Sequence, residues 1–429
     1  MTPDLPLYHP ASRRVAIFGA GKSGRAAAQL CASVGMNYQI YDEAGQGHAT
    51  EFGAADVHKY DIFIFSPGFS ADHPWLQLAK ESDRLCFGEL GFAMWLWRGK
   101  VLGVTGTNGK TTVTTLLKCA LEALGQKAVT AGNIGEPLSE LWLQHGLDDN
   151  VWAVCEISSF QAELPLGIEL EGLIWTNFAE DHLDRYPSME AYFKAKSNLL
   201  HCLQSGGYAV LGDTVKAWDA NIQRFDAVCD TLKESALSMQ SPFAHYPQVD
   251  NFRLVAELWA HLGLPAEALL AAANQFTLAP HRLSQVFEWR GVSFWDDSKA
   301  TNFSAALAAL AALDAVAGPI YWIAGGATKG GDLDAFALAA AAKVEALFAY
   351  GEVATQLERA LSGVHPRLEV HYHFADAVKA ATEAALRAAP ATVLLSPGFA
   401  SLDQFKSYAQ RGESFISTVL SLKNSATPN

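Results

Sequence analysis

The sequence predicts an α/β chain in three consecutive domains, residues 1–97, 98–279 and 280–429, with mostly parallel sheets. Three observations carry that expectation. Near the start, VAIFGAGKSG runs an apolar strand into Gly19-x-Gly21-x-x-Gly24 and then into a helical pattern. At residues 101–112, VLGVTGTNGKTT does the same, with a lysine and threonines opening the helix. Beyond residue 280 the apolar runs PIYWIAGG, ALFAY, LEVHYHF and ATVLLSPG alternate with alanine- and leucine-rich stretches, as strands joined through helices do.

Composition narrows the function classes. The chain has 429 residues, is 50% hydrophobic and 18% charged, and so has enough apolar surface for several folded cores. A formal charge of −14 speaks against a nucleic-acid or anionic-membrane surface, which would need clustered lysine and arginine. Cysteines 31, 86, 119, 155, 202 and 229 form no C-x-x-C pair and read as reduced core residues of a cytoplasmic protein. The first fourteen residues lack the apolar core of a signal peptide. Residues 305–327 come nearest to a membrane span, but Asp314 and Gly318-Pro319 divide them into a helix and a strand.

In the first region, the strand NYQIYDE ends in Asp42, whose carboxylate could accept from a ribose hydroxyl. The strand DIFIF runs into Ser66-Pro67-Gly68, a loop at the strand end where open α/β sheets hold ligands. These residues leave NAD and other diphosphate nucleotides open. FGELGFAMWLW reads as the helix that closes the region.

The central region opens with the phosphate loop. Gly106, Thr107, Asn108 and Gly109 let successive N–H groups face an anion, and the helix after them adds its positive end. Lys110 would reach the terminal phosphates, and the Thr111 hydroxyl, followed by Thr112, is placed for a magnesium ion. The usual pattern has glycine five residues before Gly109, where Val104 stands here. Helix periodicity in Val113, Leu116, Leu117, Ala120, Leu121 and Leu124 supports the helix, and Gly125 can end it. Gly132-Asn133-Ile134-Gly135 forms a loop after the next strand. VWAVCE ends in Glu156, a carboxylate at a strand end that suits magnesium. EGLIWTN then delivers Asn177, Asp181, His182, Asp184 and Arg185, a polar crowding that packing does not explain. Lys194 and Lys196 follow on a helix, where a solvated charge is the ordinary reading.

In the last region Pro280-His281-Arg282 precedes the hairpin LSQVFEWRGVSFW, which ends at residues 296–302, DDSKATN. Arg282, Asp297, Lys299, Thr301 and Lys329 would make a mixed-charge site suited to a dicarboxylate or a transferring phosphate.

Taken together, GVTGTNGKTT, GNIG, EISSFQ, NFAEDHLDRY, PHR, DDSKATN, GGATKGG and LLSPGFASLDQF resemble, in order and over nearly the whole chain, the Mur ligases of bacterial cell-wall synthesis. DSKATN and SLDQF are most similar to the branch that adds D-glutamate to UDP-N-acetylmuramoyl-L-alanine. The resemblance implies a Rossmann-like N-terminal domain for the UDP substrate, a central ATPase and a Rossmann-like C-terminal domain for the amino acid. It implies transfer of the ATP γ-phosphoryl group to the substrate carboxylate, then attack of the D-glutamate amine on the acyl phosphate.

By position, Lys22, Ser23, Gly24, Asp42, Ser66 and Gly68 would follow the uridine and diphosphate, while Asn133, Ser159 and His182 would meet the muramoyl and peptide end. Thr111 and Glu156 would hold one magnesium ion, and His182 would stand at a second. Lys196, unlike Lys194, matches the family lysine that becomes a carbamate beside the metal. Arg282 and Asp297 would contact ATP, Lys299 the acyl phosphate, and Thr301, Lys329, Ser401 and Tyr408 the D-glutamate carboxylates. Near the adenine the family's His-Asn-x-x-Asn is Asp250-Asn251-Phe252-Arg253-Leu254 here, so Asn251 fits and Leu254 departs. The resemblance also implies a monomer and a site assembled by domain closure. A sibling ligase or folylpolyglutamate synthetase, a nicotinamide-dependent oxidoreductase and a phosphate-loop switch protein are the competing readings.

Overall fold

A computed structural model of the protein describes residues 12–219, 222, 236–314, 318–364 and 367–426. Its described residues form three separate sheets. They divide into two compact units, the first made of the described residues within 12–178, 190–244 and 248–276, the second of those within 179–189, 245–247 and 277–426.

The first unit begins with β1 (Arg14–Phe18), α1 (Lys22–Ser33), β2 (Asn37–Tyr41), α2 (Ala54–Val57), β3 (Ile62–Phe65), α3 (Pro74–Lys80), β4 (Leu85–Gly88) and α4 (Glu89–Leu96). Its four strands pair in parallel in the order β2-β1-β3-β4. An aromatic core lies against them, with the Phe18 and Phe65 rings stacked at 4.2 Å and Phe52, Phe63 and Trp75 around them. The expected closing helix FGELGFAMWLW is shorter than its sequence suggests. Phe87 and Gly88 belong to β4, because the edge of β3 offers a parallel partner, and Phe65 pairs with Gly88. Sheet pairing overrides local helical preference there.

The same unit continues with β5 (Val101–Thr105), α5 (Lys110–Ala123), β6 (Lys127–Gly132), α6 (Leu138–His145), β7 (Val151–Glu156), α7 (Ser159–Ala162), β8 (Leu170–Trp175), α8 (Met189–Ser197), β9 (Leu203–Leu211), α9 (Asp213–Trp218), α10 (Gln248–His261) and α11 (Ala266–Gln275). The strands are all parallel, ordered β6-β7-β5-β8-β9. β5 is central and wholly buried, as expected of a parallel strand covered on both faces. Leu116, Leu117, Ala120 and Leu121 of α5 share a core with Phe252, Val255 and Trp259 of α10 and Leu269 and Ala273 of α11. Gly125, at φ +74°, follows α5 in the left-handed conformation that ends helices.

The second unit holds β10 (Ser284–Trp289), β11 (Val292–Asp296), α12 (Phe303–Ala312), β12 (Ile320–Gly325), α13 (Leu333–Ala341), β13 (Ala346–Tyr350), α14 (Ala354–Ala360), β14 (Leu368–His371), α15 (Phe374–Arg387), β15 (Ala391–Gly398) and α16 (Tyr408–Ser425). The order is β10-β11-β15-β12-β13-β14, with only the β10–β11 hairpin antiparallel. Alternation along β12 sends Ile320, Trp322 and Ala324 into one core and Tyr321 and Ile323 into another, so helices cover both faces.

Among the described residues no helix is long and apolar enough to cross a membrane. The 305–327 stretch is split between α12 and β12, as its Asp314 and Gly318-Pro319 suggested. Cys31, Cys155 and Cys202 are buried free thiols, Cys86 and Cys119 are partly buried free thiols, and Cys229 lies outside the described residues.

Candidate active site

In the first unit, the phosphate loop runs from the end of β5 to the start of α5. Val104, where a glycine is usual, lies inside β5 and pairs with Glu156 and Ile174, so the turn begins later, at Gly106. Gly106 has φ +141° and a β-carbon there would fall 2.0 Å from Thr176 Oγ1. Gly109 has φ +81° and its β-carbon would fall 2.4 Å from Asn251 Oδ1. Only glycine combines these backbone angles with such close approach.

The loop is tied down by β8's exit. Thr107 N–H donates to Asn177 O at 3.1 Å, and Asn108 N–H donates to Asn177 Oδ1 at 2.8 Å. The Thr176 hydroxyl and Asn177 amide both donate to Asn108 O, at 2.6 and 3.2 Å. Lys110 Nζ donates to Gly106 O and Thr107 O, each at 2.8 Å, which keeps its charge over the loop.

Behind the loop stands Glu156, only 2% exposed. Its Oε2 accepts from the Thr111 hydroxyl at 2.8 Å, and its Oε1 accepts from Asn133 Nδ2 at 2.7 Å. A hydroxyl and a carboxylate side by side at a phosphate loop fit magnesium, which takes oxygen ligands, uses few protein groups and completes its shell with phosphates and water. No group of three or more His, Cys, Asp or Glu that could hold a metal occurs among the described residues.

Lys196 overturns the ordinary reading of a helical lysine. It is 1% exposed, its Nζ donates to Gly106 O at 3.0 Å and approaches Thr105 Oγ1 at 3.4 Å, and it sits 4.9 Å over the Tyr192 ring. Lys194, two residues earlier, is exposed. The helical register therefore separates the two lysines, which nothing but a family pattern distinguished in the sequence.

At the first sheet, Gly24 packs so closely that a β-carbon would lie 1.8 Å from Gly19 O. Asp42 Oδ2 accepts from Ala20 N–H at 2.7 Å, and Oδ1 accepts from Ala44 and Gln46 N–H at 3.0 and 3.3 Å. Those donors, Ala20 foremost, hold its carboxyl below the usual range. Asp42 thus organises the loops around the glycine turn. Ser66 Oγ is buried there with no hydrogen-bond partner. Ser159, following the Ser158 cap of α7, is buried.

In the second unit, the polar loop after β8 is fastened to the C-terminal sheet. Asp181 Oδ1 meets Lys329 Nζ at 3.3 Å, and Asp181 Oδ2 accepts from Asn302 Nδ2 at 3.1 Å and lies 3.8 Å from His182 Nε2. Burial raises the Asp181 carboxyl, but Lys329 and His182 outweigh it and the net shift is downward. His182 adopts φ +58°, a left-handed backbone that bends the loop at that residue.

Asp297 accepts from Leu283 N–H at 3.0 Å and from the Ser396 hydroxyl at 2.8 Å, and burial pushes its carboxyl up to about 7. Neighbouring Asp296 instead meets His281 Nδ1 at 2.6 Å. Lys299 Nζ lies 4.2 Å over the Tyr408 ring, and Ser401 is buried while Arg282 and Thr301 are half-buried.

Sequence reasoning missed Arg411. Entirely buried, it donates from Nε to Ser298 Oγ at 3.0 Å, from Nη2 to Ser298 O at 2.8 Å, and from Nη1 to Phe399 O at 3.1 Å and the Tyr350 hydroxyl at 3.2 Å. It joins the loops that carry Asp297, Lys299 and Ser401. An arginine within an otherwise ordinary amphipathic helix gives no such signal.

Two family models match the chain, the Mur ligase middle domain over residues 104–253 and the Mur ligase glutamate ligase domain over residues 281–399. A UDP-N-acetylmuramoylalanine--D-glutamate ligase of Gloeobacter violaceus is 35% identical, over 95% of this chain and 99% of its own. The protein of the same name from Protochlamydia amoebophila is 30% identical, over 96% and 98%. In fold, the chain is similar to the MurF ligase of Thermotoga maritima solved in complex with ADP, with a TM-score of 0.61 at 16% identity over 96% of this chain and 95% of that one. Phosphate loop, buried lysine and C-terminal charge cluster accordingly sit on a known scaffold, and the chain belongs to the Mur ligase family.

Proposed function

We propose that the protein joins D-glutamate to UDP-N-acetylmuramoyl-L-alanine at the expense of ATP, in peptidoglycan precursor synthesis. The observation that carries this reading is full-length similarity, 35% identity over 95% of the chain, to a ligase bearing that acceptor in its name. The Thr111–Glu156 pair behind a glycine-shaped phosphate loop supports its ATP chemistry.

On this reading residues 1–97 bind the UDP substrate, 98–279 bind ATP and 280–429 bind the amino acid. Loop N–H groups, Lys110 and Asn251 hold the nucleotide, with Arg282 and Asp297 contributing. Thr111 and Glu156 hold magnesium, which when bound neutralises phosphate charge; His182 and Lys196, the latter as a carbamate, belong to a second metal position. The γ-phosphoryl group passes to the substrate carboxylate, releasing ADP and leaving an acyl phosphate, and Lys299 screens the growing charge. The amine of D-glutamate attacks the acyl carbon, the amide bond forms, and inorganic phosphate leaves with the bonding pair. Thr301, Lys329, Ser401 and Tyr408 orient the glutamate carboxylates so that the amine faces the acyl group. Lys22, Ser23, Gly24, Asp42, Ser66 and Gly68 fix the uridine diphosphate, and Asn133, Ser159 and His182 the far end. The protein works as a cytoplasmic monomer.

Phosphate release from ATP and magnesium tests the reading, with D-glutamate compared against L-glutamate, L-lysine and diaminopimelate. Release that needs both the UDP substrate and D-glutamate supports it. Dependence on another amino acid would make the chain a sibling ligase, and release indifferent to both substrates would refute ligation. Incorporation of ¹³C from bicarbonate at Lys196, read by NMR, tests the carbamate separately.

A further inference from the structure

Lys22 opens α1 immediately after the first-sheet glycine turn, yet its ammonium is engaged with the central sheet's loop. Nζ lies 2.8 Å from Glu136 Oε2 and 3.1 Å from Gly135 O. Glu136 also shares a hydrogen bond with Glu140; Lys22 holds the Glu136 carboxyl down, and Glu136 pushes the Glu140 carboxyl up. Lys22, Arg25, Gln46 and Glu140 line one open cleft at the turn.

The loop that Lys22 grips ends on the phosphate-loop carboxylate. Gly132 has φ +91° and no space for a β-carbon, which would fall 2.3 Å from Glu156 O. Asn133 donates its N–H to Glu156 O at 2.8 Å and its Nδ2 to Glu156 Oε1 at 2.7 Å. Glu156 Oε2 in turn accepts from Thr111. An unbroken polar path therefore runs from Lys22 through residues 132–136 and Glu156 to Thr111, all within one compact unit.

We propose that Lys22 is a positioning residue that couples occupancy of the first-sheet turn to nucleotide binding at the phosphate loop. The inference rests on the reading of that turn as a diphosphate site. A diphosphate carries more charge than one exposed carboxylate and draws the ammonium away from Glu136 and Gly135. Residues 132–136 then relax, Asn133 loosens from Glu156 Oε1, and that oxygen becomes available beside Thr111. By linkage, nucleotide with its cation tightens the UDP substrate by the same factor.

Calorimetric titration of the full chain with ADP and magnesium, with and without saturating UDP-N-acetylmuramoyl-L-alanine, measures the coupling. For an exposed ion pair about two- to fivefold tightening is expected in the wild type. Lys22→Met and Glu136→Gln should each bind ADP as the wild type does with substrate present, show no further tightening, and combine without added effect. Glu136→Gln should bind the UDP substrate at least as tightly as the wild type, Lys22→Met more weakly, and Lys22→Arg should keep the coupling. Absence of coupling in the wild type, or its persistence in Glu136→Gln, would overturn the proposal while leaving the diphosphate site standing. Undiminished UDP-substrate affinity in Lys22→Met would overturn the diphosphate reading, and this proposal with it.

Discussion

Replacing Arg411 with methionine removes a guanidinium that has no access to water and bonds only to neutral acceptors among its recorded contacts. The carbonyls of Ser298 and Phe399 would lose their donor at 2.8 and 3.1 Å, inside a core where water cannot replace it. Each buried acceptor left bare costs about 1–3 kcal/mol. Methionine regains part of this by filling the space with apolar atoms, so a net loss of about 3 kcal/mol is expected. For a folded unit of this size that lowers the apparent Tm by roughly 6–12 °C. Function should suffer in a particular way. Ser298 sits between Asp297 and Lys299, and Phe399 precedes the Ser401 loop, so the KM for the amino acid should rise more than the KM for ATP. Arg411→Lys should not rescue, since one ammonium cannot span acceptors that a planar fork reaches on different loops. Thermal unfolding and steady-state kinetics check both. A methionine variant that melts within about 2 °C of the wild type, given the size scaling, with an unchanged amino-acid KM, would refute the reasoning.

Other consequences follow from single contacts. Because burial raises Asp297 to about 7, the folded chain keeps a proton that the unfolded chain has lost. Its contribution is therefore full below about pH 4 and declines towards pH 7, by about 1.4 kcal/mol per unit. Asp297→Asn should abolish that slope and be the more stable protein at pH 8, the gap closing towards pH 4; parallel stability–pH curves from denaturant unfolding would count against it. Gly106→Ala forces a β-carbon to within 2.0 Å of Thr176 Oγ1 at φ +141°. It should weaken ADP binding about tenfold or more, since such backbone strain costs about 1–3 kcal/mol, and an unchanged calorimetric Kd would exclude the effect. Thr111→Ala should raise the magnesium concentration for half-maximal turnover about tenfold or more while Thr111→Ser does not, and equal magnesium curves would contradict the Thr111–Glu156 assignment.

The strands and the phosphate loop were legible because their signals are local. β5 and α5 announce themselves through an apolar run, glycines and a helical repeat within about twenty residues, the span over which such periodicity is read. What the letters hid is long-range. Phe87 and Gly88 carry a helical pattern although their strand pairing comes from β3, and Lys196 carries the pattern of a surface charge although its burial depends on Thr105 and Gly106, some ninety residues away. Resemblance corrected the second reading and not the first, since a family motif marks reacting groups rather than sheet edges.

Adjacent acids show most clearly why residue identity alone is insufficient. Asp296 ends β11, Asp297 follows it, and both are buried. Asp296 meets the His281 ring at 2.6 Å, while Asp297 meets a main-chain N–H and a hydroxyl, neither of which carries charge. With burial the larger influence, those donors lower the Asp297 carboxyl less than desolvation raises it. A carboxyl raised to about 7 changes its charge readily when a cation or a hydrogen-bonding group comes beside it. The same aspartate placed one residue earlier would face a histidine, and the site would have a different charge with an identical composition.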